Sequence, residues 1–449
     1  MPESSIDFAT RRRYYNLCDP GEPLPPEDDR NVDIDRMAGG SVRAAQLFEG
    51  LATDFELSDT PLCKLFSGLP GSGKSTELRR LAKHLADPEG LRLLPVIVNA
   101  EELLNINVEI DVPDVLMAIL YAVEAKVLET AGLGREPMRD GYFKRLWHYL
   151  TTTEVEFKQA QFTVAEGVDL VAELKTREPL RKKVRETIGR NLNGFIRDVR
   201  AELSKLEDQV RKLPTDGRPY GGLVIIVDSL EKLAGTASTW HPVMNSAELF
   251  FRAQSPWLDM PVHIIYTVPP ALMTRIPGIE FMPMIKVRTR EGQPFPAGIE
   301  AVRAMIEHRV PRAELPKVFG EQFEARVASL IQWSGGYPRE LVRLLRQCFR
   351  YRSYPLDDAE FERVFDEVIA NYRRQVLLED IPWLIEVSRT RWVTFETTEH
   401  QASADRMLSI NAIMYYPNGQ GFYDLHPALY RIPPIQAALA NDEPADAEG

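Results

Sequence analysis

Five short apolar runs punctuate the chain: 62–66, Leu93–Val98, Leu223–Val227, Val262–Val268 and Phe281–Val287. Continuous apolar runs of this length, without polar alternation, predict strands of a parallel sheet covered on both faces. Leu223-Val-Ile-Ile-Val227 is apolar throughout and is the expected central strand. Proline donates nothing to a ladder, so the runs carrying Pro95 and Pro283 belong at the sheet edges. Between the runs the period changes to that of a helix. Leu78, Leu81, Ala82 and Leu85 fall on one face directly after the first run.

About 125 residues separate the second and third runs, whereas a crossover needs only about a dozen. The excess, about 131–215, reads as a helical insertion. Leu180, Val184, Ile188, Leu192, Phe195, Val199, Leu203, Leu206, Val210 and Leu213 step by three or four. They predict one long amphipathic helix stopped by Pro214 and packed on neighbours at 113–130 and 141–160. Gly189 and Gly194 weaken it by about 1 kcal/mol each. Arg177, Arg181, Lys182, Lys183, Arg185 and Arg190 give its first half a basic face, either packed and solvated or open to a partner. Near the C-terminus, Ile410–Tyr416 and Phe422–Leu425 flank Pro417-Asn418-Gly419-Gln420-Gly421, a hairpin pattern.

Composition narrows the function classes. The 449 residues are 44% hydrophobic and 27% charged, with a net charge of −12, so nucleic acid is not attracted by overall charge. No apolar run approaches the ~20 residues of a membrane span. The N-terminus, with Asp7 and Arg11–Arg13, lacks the apolar core of a signal peptide. Cys18, Cys63 and Cys348 are few and far apart, which argues against a disulfide framework or zinc site and for a cytoplasmic protein.

The chemistry is concentrated at Gly68-Leu69-Pro70-Gly71-Ser72-Gly73-Lys74-Ser75, a complete GxxxxGK[ST] loop between a predicted strand and a predicted helix, followed by Thr76. Glycines let consecutive N–H groups turn toward phosphate oxygens. Lys74 is placed for the β- and γ-phosphates, Ser75 for Mg²⁺, and the helix N-terminus adds its dipole. The apolar third run ends in Asp228-Ser229-Leu230-Glu231. Asp228 suits the hydrated metal, and Glu231 suits a polarised water. The fourth run ends at Thr267, where related ATPases keep a polar residue that senses the γ-phosphate, and where strand propensity alone would equally place a threonine.

These residues, with Gly335-Gly336-Tyr337-Pro338-Arg339-Glu340-Leu341, resemble the AAA+/STAND group of P-loop ATPases, in particular origin-recognition-like members with a GGxP motif. The resemblance covers roughly 30–370. It implies an α/β fold: a P-loop NTPase parallel sheet in the order 5-1-4-3-2, which agrees with the proline rule, plus a helical lid and a small C-terminal α+β domain that could be winged-helix-like. The expected boundaries are 1–60 for the lead-in, 61–300 for the core with its insertion, 301–370 for the lid, 371–435 for the α+β domain and 436–449 for a disordered acidic tail. The resemblance implies ATP and Mg²⁺ as ligands, Arg339 as the lid's γ-phosphate sensor, and an adenine site near Pro23–Gly40. No NKxD guanine motif is present. Arg252, Arg275 and Arg309 are arginine-finger candidates.

A second basic stripe, Arg339, Arg343, Arg346 and Arg350, is either acid-paired or free for phosphate contacts. The aromatic hairpin carries no lysine or arginine, which disfavours a DNA-reading wing. The leading expectation is an ATPase switch of bacterial signalling or defence type. It would act on a protein partner through the insertion or C-terminal region, with self-association an open alternative. A DNA-associated loader or initiator is the alternative class. A small-molecule kinase and an ATP-binding pseudoenzyme are weaker readings.

Overall fold

The computed structural model describes residues 6–21, 24–25, 27–34, 37, 42–43, 45–133, 170–233, 239–252, 255–394, 397–416 and 421–442. The chain folds as two compact units. One comprises 1–49, 68–77 and 282–449, and the other comprises 50–67 and 78–281.

The second unit is built on a sheet of β1 (Cys63–Gly68), β2 (Leu93–Asn99), β3 (Gly222–Asp228), β4 (His263–Thr267) and β5 (Ile279–Met282), in the order β2-β3-β4-β1-β5. Neighbours β2/β3, β3/β4 and β1/β4 are parallel. This is the expected 5-1-4-3-2 order. β3 is buried at every position, as its unbroken apolar run requires. β2 carries Pro95 at the edge, where a missing N–H costs no ladder bond. β5 ends at Met282, one residue before Pro283, so the fifth strand is earlier and shorter than the apolar run suggested.

Helix α1 (Lys74–Leu85) follows β1, and α2 (Val112–Thr130) opens with Pro113 and an Asp111/Asp114 capping box. The insertion corrects one expectation. The predicted single helix is two, α3 (Glu178–Gly189) and α4 (Leu192–Val210). The break has a local cause: α3 ends at a glycine, and the Asn191 side chain accepts from Gly194 N at 3.2 Å, capping a new helix. The apolar stripe itself is buried from Leu180 to Val210 in one core with β2, β3 and α2. The basic face is largely consumed inside this unit. Arg181 donates to Leu174 O at 3.0 Å, Arg185 Nε to Asp114 Oδ2 at 2.9 Å, and Arg177 pairs with Glu173 at 2.6 Å. The expected neighbour at 141–160 lies outside the described residues.

The first unit holds the helices after β5, among them α5 (Phe323–Ser334), α6 (Pro338–Cys348) and α7 (Asp358–Gln375). Beyond them, β6 (Ile413–Tyr416) and β7 (Phe422–Leu425) pair antiparallel, as the hairpin pattern predicts. The residues of the turn itself, Pro417–Gln420, and the acidic stretch from Glu443 lie outside the described residues. Three of the four arginines of the stripe are acid-paired: Arg343 with Glu340 (3.1 Å), Arg346 with Asp19 (3.3 Å) and Arg350, just past α6, with Glu367 (3.6 Å).

After β7, His426 is fully buried, stacked on Tyr372 at 4.4 Å, with Nδ1 accepting from Ala428 N at 3.1 Å. Burial pushes its imidazole down to about 3. An unfolded histidine takes its proton near pH 6.5, and the folded one refuses it until about pH 3. Its contribution is therefore intact above about pH 6.5 and is lost as the pH falls below that, at about 1.4 kcal/mol per pH unit. His426→Asn, which can retain the cap, is expected to flatten the fall in urea midpoint between pH 7 and pH 5. Equal slopes in variant and wild type would refute this assignment.

Candidate functional site

The P-loop leaves the carboxyl end of β1. Leu69 O accepts from Ser72 N at 3.1 Å, with Pro70 and Gly71 between them and Gly71 at φ 79°. Proline followed by a positive-φ glycine is the signature of a type II turn. Gly73, at φ 99°, makes a second left-handed step, after which Thr76 N and Glu77 N donate to Gly73 O and the helix begins. Lys74, 3% exposed, folds over this path and donates to Gly68 O (2.8 Å) and Leu69 O (3.1 Å). Ser75 and Thr76 are half-buried in the first turn of α1.

The Gly335–Arg339 segment packs on the crest of this loop. Gly335 (φ 58°) ends α5, Gly336 (φ 78°) turns the chain, and Pro338 starts α6. A Cβ placed on Gly71 would lie 2.7 Å from the Tyr337 hydroxyl, 2.8 Å from Arg339 Cβ and 2.8 Å from Arg339 Nε. Arg339 is therefore brought to the P-loop. So is Tyr337, whose hydroxyl burial pushes up to about 12, keeping it protonated.

Two further contacts have no local signal in the sequence. Arg43, 4% exposed, donates to Ser72 O (2.8 Å), touches Met282 Sδ (3.0 Å) and faces Glu77 on α1 (3.9 Å). Asn411, 4% exposed, donates to Pro70 O at 2.8 Å across 341 residues of chain. Met282 backs the loop's entry, where a Cβ on Gly68 would meet Met282 O at 2.9 Å.

In the other unit the acidic strand end is equally well braced. Asp228 is 9% exposed, and its Oδ1 accepts from Ser229 N at 2.8 Å. Ser229 is left-handed (φ 71°), and Leu230–Lys232 forms one 3₁₀ turn carrying Glu231, 8% exposed. Thr267 is fully buried and ties the turn down. Its hydroxyl donates to Val227 O (3.1 Å) and accepts from Leu230 N (3.0 Å). Its bonding capacity thus serves the turn that presents Glu231. Of the finger candidates, Arg309 is buried on Met305 O (2.9 Å), Arg275 pairs with Glu248 (3.0 Å), and Arg252 is exposed.

Hydroxyl and carboxylate oxygens such as Ser75 and Asp228 are the hard donors that Mg²⁺ takes, alongside phosphate and water. Among the described residues no cluster of three His, Cys, Asp or Glu side chains could hold a metal unaided, and no helix is long and apolar enough to cross a membrane.

The chain has the parallel α/β fold of a P-loop NTPase. Among solved structures it is similar to a Walker-type ATPase of Pyrococcus abyssi, at 13% identity and TM-score 0.38, covering 92% of this chain and 100% of that one. It is also similar to the ORC2 protein of Aeropyrum pernix in its ADP form, at 14% identity and TM-score 0.38, covering 95% and 98%. A third is Drosophila ORC bound to DNA, at 12% identity and TM-score 0.35, covering 98% and 94%. No protein-family model and no curated protein matches the sequence.

Proposed function

We propose that this chain is a cytoplasmic, Mg²⁺-dependent ATP-binding and hydrolysing switch that regulates or assembles a protein partner, of signalling or defence type. The observation that carries the reading is the packing of Tyr337 and Arg339 around Gly71, because it puts the start of the lid helix α6 against the phosphate loop. A cation there gains from a γ-phosphate and loses that gain after hydrolysis, so nucleotide state and lid position are coupled.

In this reading the N–H groups of Gly71, Gly73 and Lys74 and the Lys74 ammonium bind and orient the triphosphate. Ser75 and Asp228 hold the hydrated metal, and Glu231 takes the proton of the attacking water. Mg²⁺, when bound, neutralises charge developing on the β- and γ-phosphate oxygens. Thr267 acts by holding the Glu231 turn, and the insertion or the C-terminal region meets the partner. Four arginines of the basic stripes, Arg185, Arg343, Arg346 and Arg350, are paired with acids of the chain itself, which weighs against the loader reading.

Phosphate release from Mg-ATP, with and without DNA and alongside mass in each nucleotide state, tests the proposal. Slow, DNA-indifferent release is expected. Lys74→Ala should weaken ATP binding by at least about 100-fold, as expected for removing a buried charge-assisted contact. Wild-type protein that binds no ATP would refute the reading, and DNA-stimulated turnover would replace it with the loader.

A further inference from the structure

We infer that Asn411 and Arg43 are positioning residues for phosphate binding. From outside the P-loop, each holds one peptide group whose N–H belongs to the phosphate cradle. The inference rests on the ATP-binding reading of the loop. A peptide unit is planar and trans, so its C=O and N–H point in opposite directions. Asn411 fixes Pro70 O, and the other end of that peptide is Gly71 N–H. Arg43 fixes Ser72 O, and the other end of that peptide is Gly73 N–H. Both donors pull carbonyls away from the cradle and so aim alternate N–H groups into it.

The turn type explains why such a brace matters. Pro70–Gly71 is the central peptide of the type II turn, and rotating it by half a turn gives the type I geometry with its N–H reversed. Gly71 tolerates the required φ without selecting it. The Asn411 amide selects it, because only the type II orientation presents Pro70 O to the donor. Asn411 is itself held in a left-handed conformation (φ 59°) between the helix Thr398–Ser409 and β6. Its backbone is pinned by Asn411 N to Leu408 O (3.3 Å), and its carbonyl accepts from the Tyr372 hydroxyl (3.4 Å). Ala412 N donates to Met407 O at 2.9 Å, so Asn411 ends that helix in a Schellman arrangement, where a left-handed asparagine fits and its side chain is held in one place. Arg43 is rigid for another reason: its buried guanidinium spans Ser72 O and Glu77, tying the loop to the helix it enters.

The test uses Asn411→Gly in the full chain, since glycine keeps the left-handed backbone and removes the side chain that carries the amide. Binding of a non-hydrolysable ATP analogue, competition by inorganic tripolyphosphate, KM and kcat, and thermal midpoint are measured together. The expected result is an unaltered midpoint with affinity for both the analogue and tripolyphosphate about tenfold weaker, the loss of one buried hydrogen bond. The loss falls on KM rather than kcat, whereas mere destabilisation lowers the active fraction and leaves KM unmoved. Arg43→Lys, which keeps the charge beside Glu77 but not the two-pronged donor, should show the same phosphate-specific loss. Analogue and tripolyphosphate affinities within twofold of wild type in Asn411→Gly overturn the inference. A wild-type protein that binds neither probe sinks the ATP reading itself, so the two failures are distinct.

Discussion

Glu231→Gln is expected to lower phosphate release from Mg-ATP by about 10²- to 10⁴-fold, the usual contribution of a positioned general base, while ATP still binds. The amide keeps the shape of the side chain and cannot take a proton. The expectation is sharp because the backbone leaves Glu231 little freedom. Ser229 turns left-handed, the 3₁₀ turn follows at once, and Leu230 N is anchored on Thr267 Oγ1 at 3.0 Å. Turnover and equilibrium ATP binding, measured on the same preparation, separate base from scaffold. Undiminished turnover in Glu231→Gln would remove Glu231 from the chemistry.

Gly336→Ala is expected to destabilise the unit that contains the lid by about 2–5 kcal/mol, combining left-handed strain with a forced backbone shift. A Cβ on the first Gly of the pair would meet side-chain atoms, Met414 Sδ at 2.8 Å and the Tyr416 hydroxyl at 3.0 Å, but the second is walled in by backbone. A Cβ on Gly336 would lie 1.9 Å from Ile285 O and 2.9 Å from Ile285 C, both backbone atoms, at φ 78°. Backbone cannot rotate aside as a side chain can. The same approach lets Ile285 N donate to Gly336 O at 3.2 Å, and the neighbouring Gly335 O accepts from Tyr416. Moving this strip would unseat Tyr337 and Arg339, so urea unfolding and ATP affinity should weaken together in the variant. A stable Gly336→Ala protein with unchanged ATP affinity would show that the close approach is dispensable.

Much of this arrangement was legible along the chain because its causes are local. Leu223–Val227 reads as a central strand since every position must tolerate burial on either face, and Pro95 marks an edge because a missing N–H is harmless only there. The P-loop and the Gly335-Gly336-Tyr337-Pro338 break are backbone signals, since glycine and proline fix where φ turns positive and where a helix can start. The long insertion helix misled for a local reason as well: the apolar stripe continues through the break, but Asn191 caps a new helix, and a cap outweighs periodicity at a glycine.

Local order along the chain thus pointed to the five strands, the edge place of β2 and the glycine-rich P-loop sequence with an acidic strand end, because each follows from burial, donor supply or allowed φ at the residue concerned. Folding alone decided which side chains aim that loop. Arg43 comes from 29 residues before Ser72 and Asn411 from 341 residues after Pro70, in segments with no nucleotide signature of their own. It also decided that Arg181, Arg185, Arg343 and Arg346 meet acids and carbonyls of the chain itself. A donor's partner is chosen by which surfaces meet when two segments pack, and residue type and spacing do not encode that meeting.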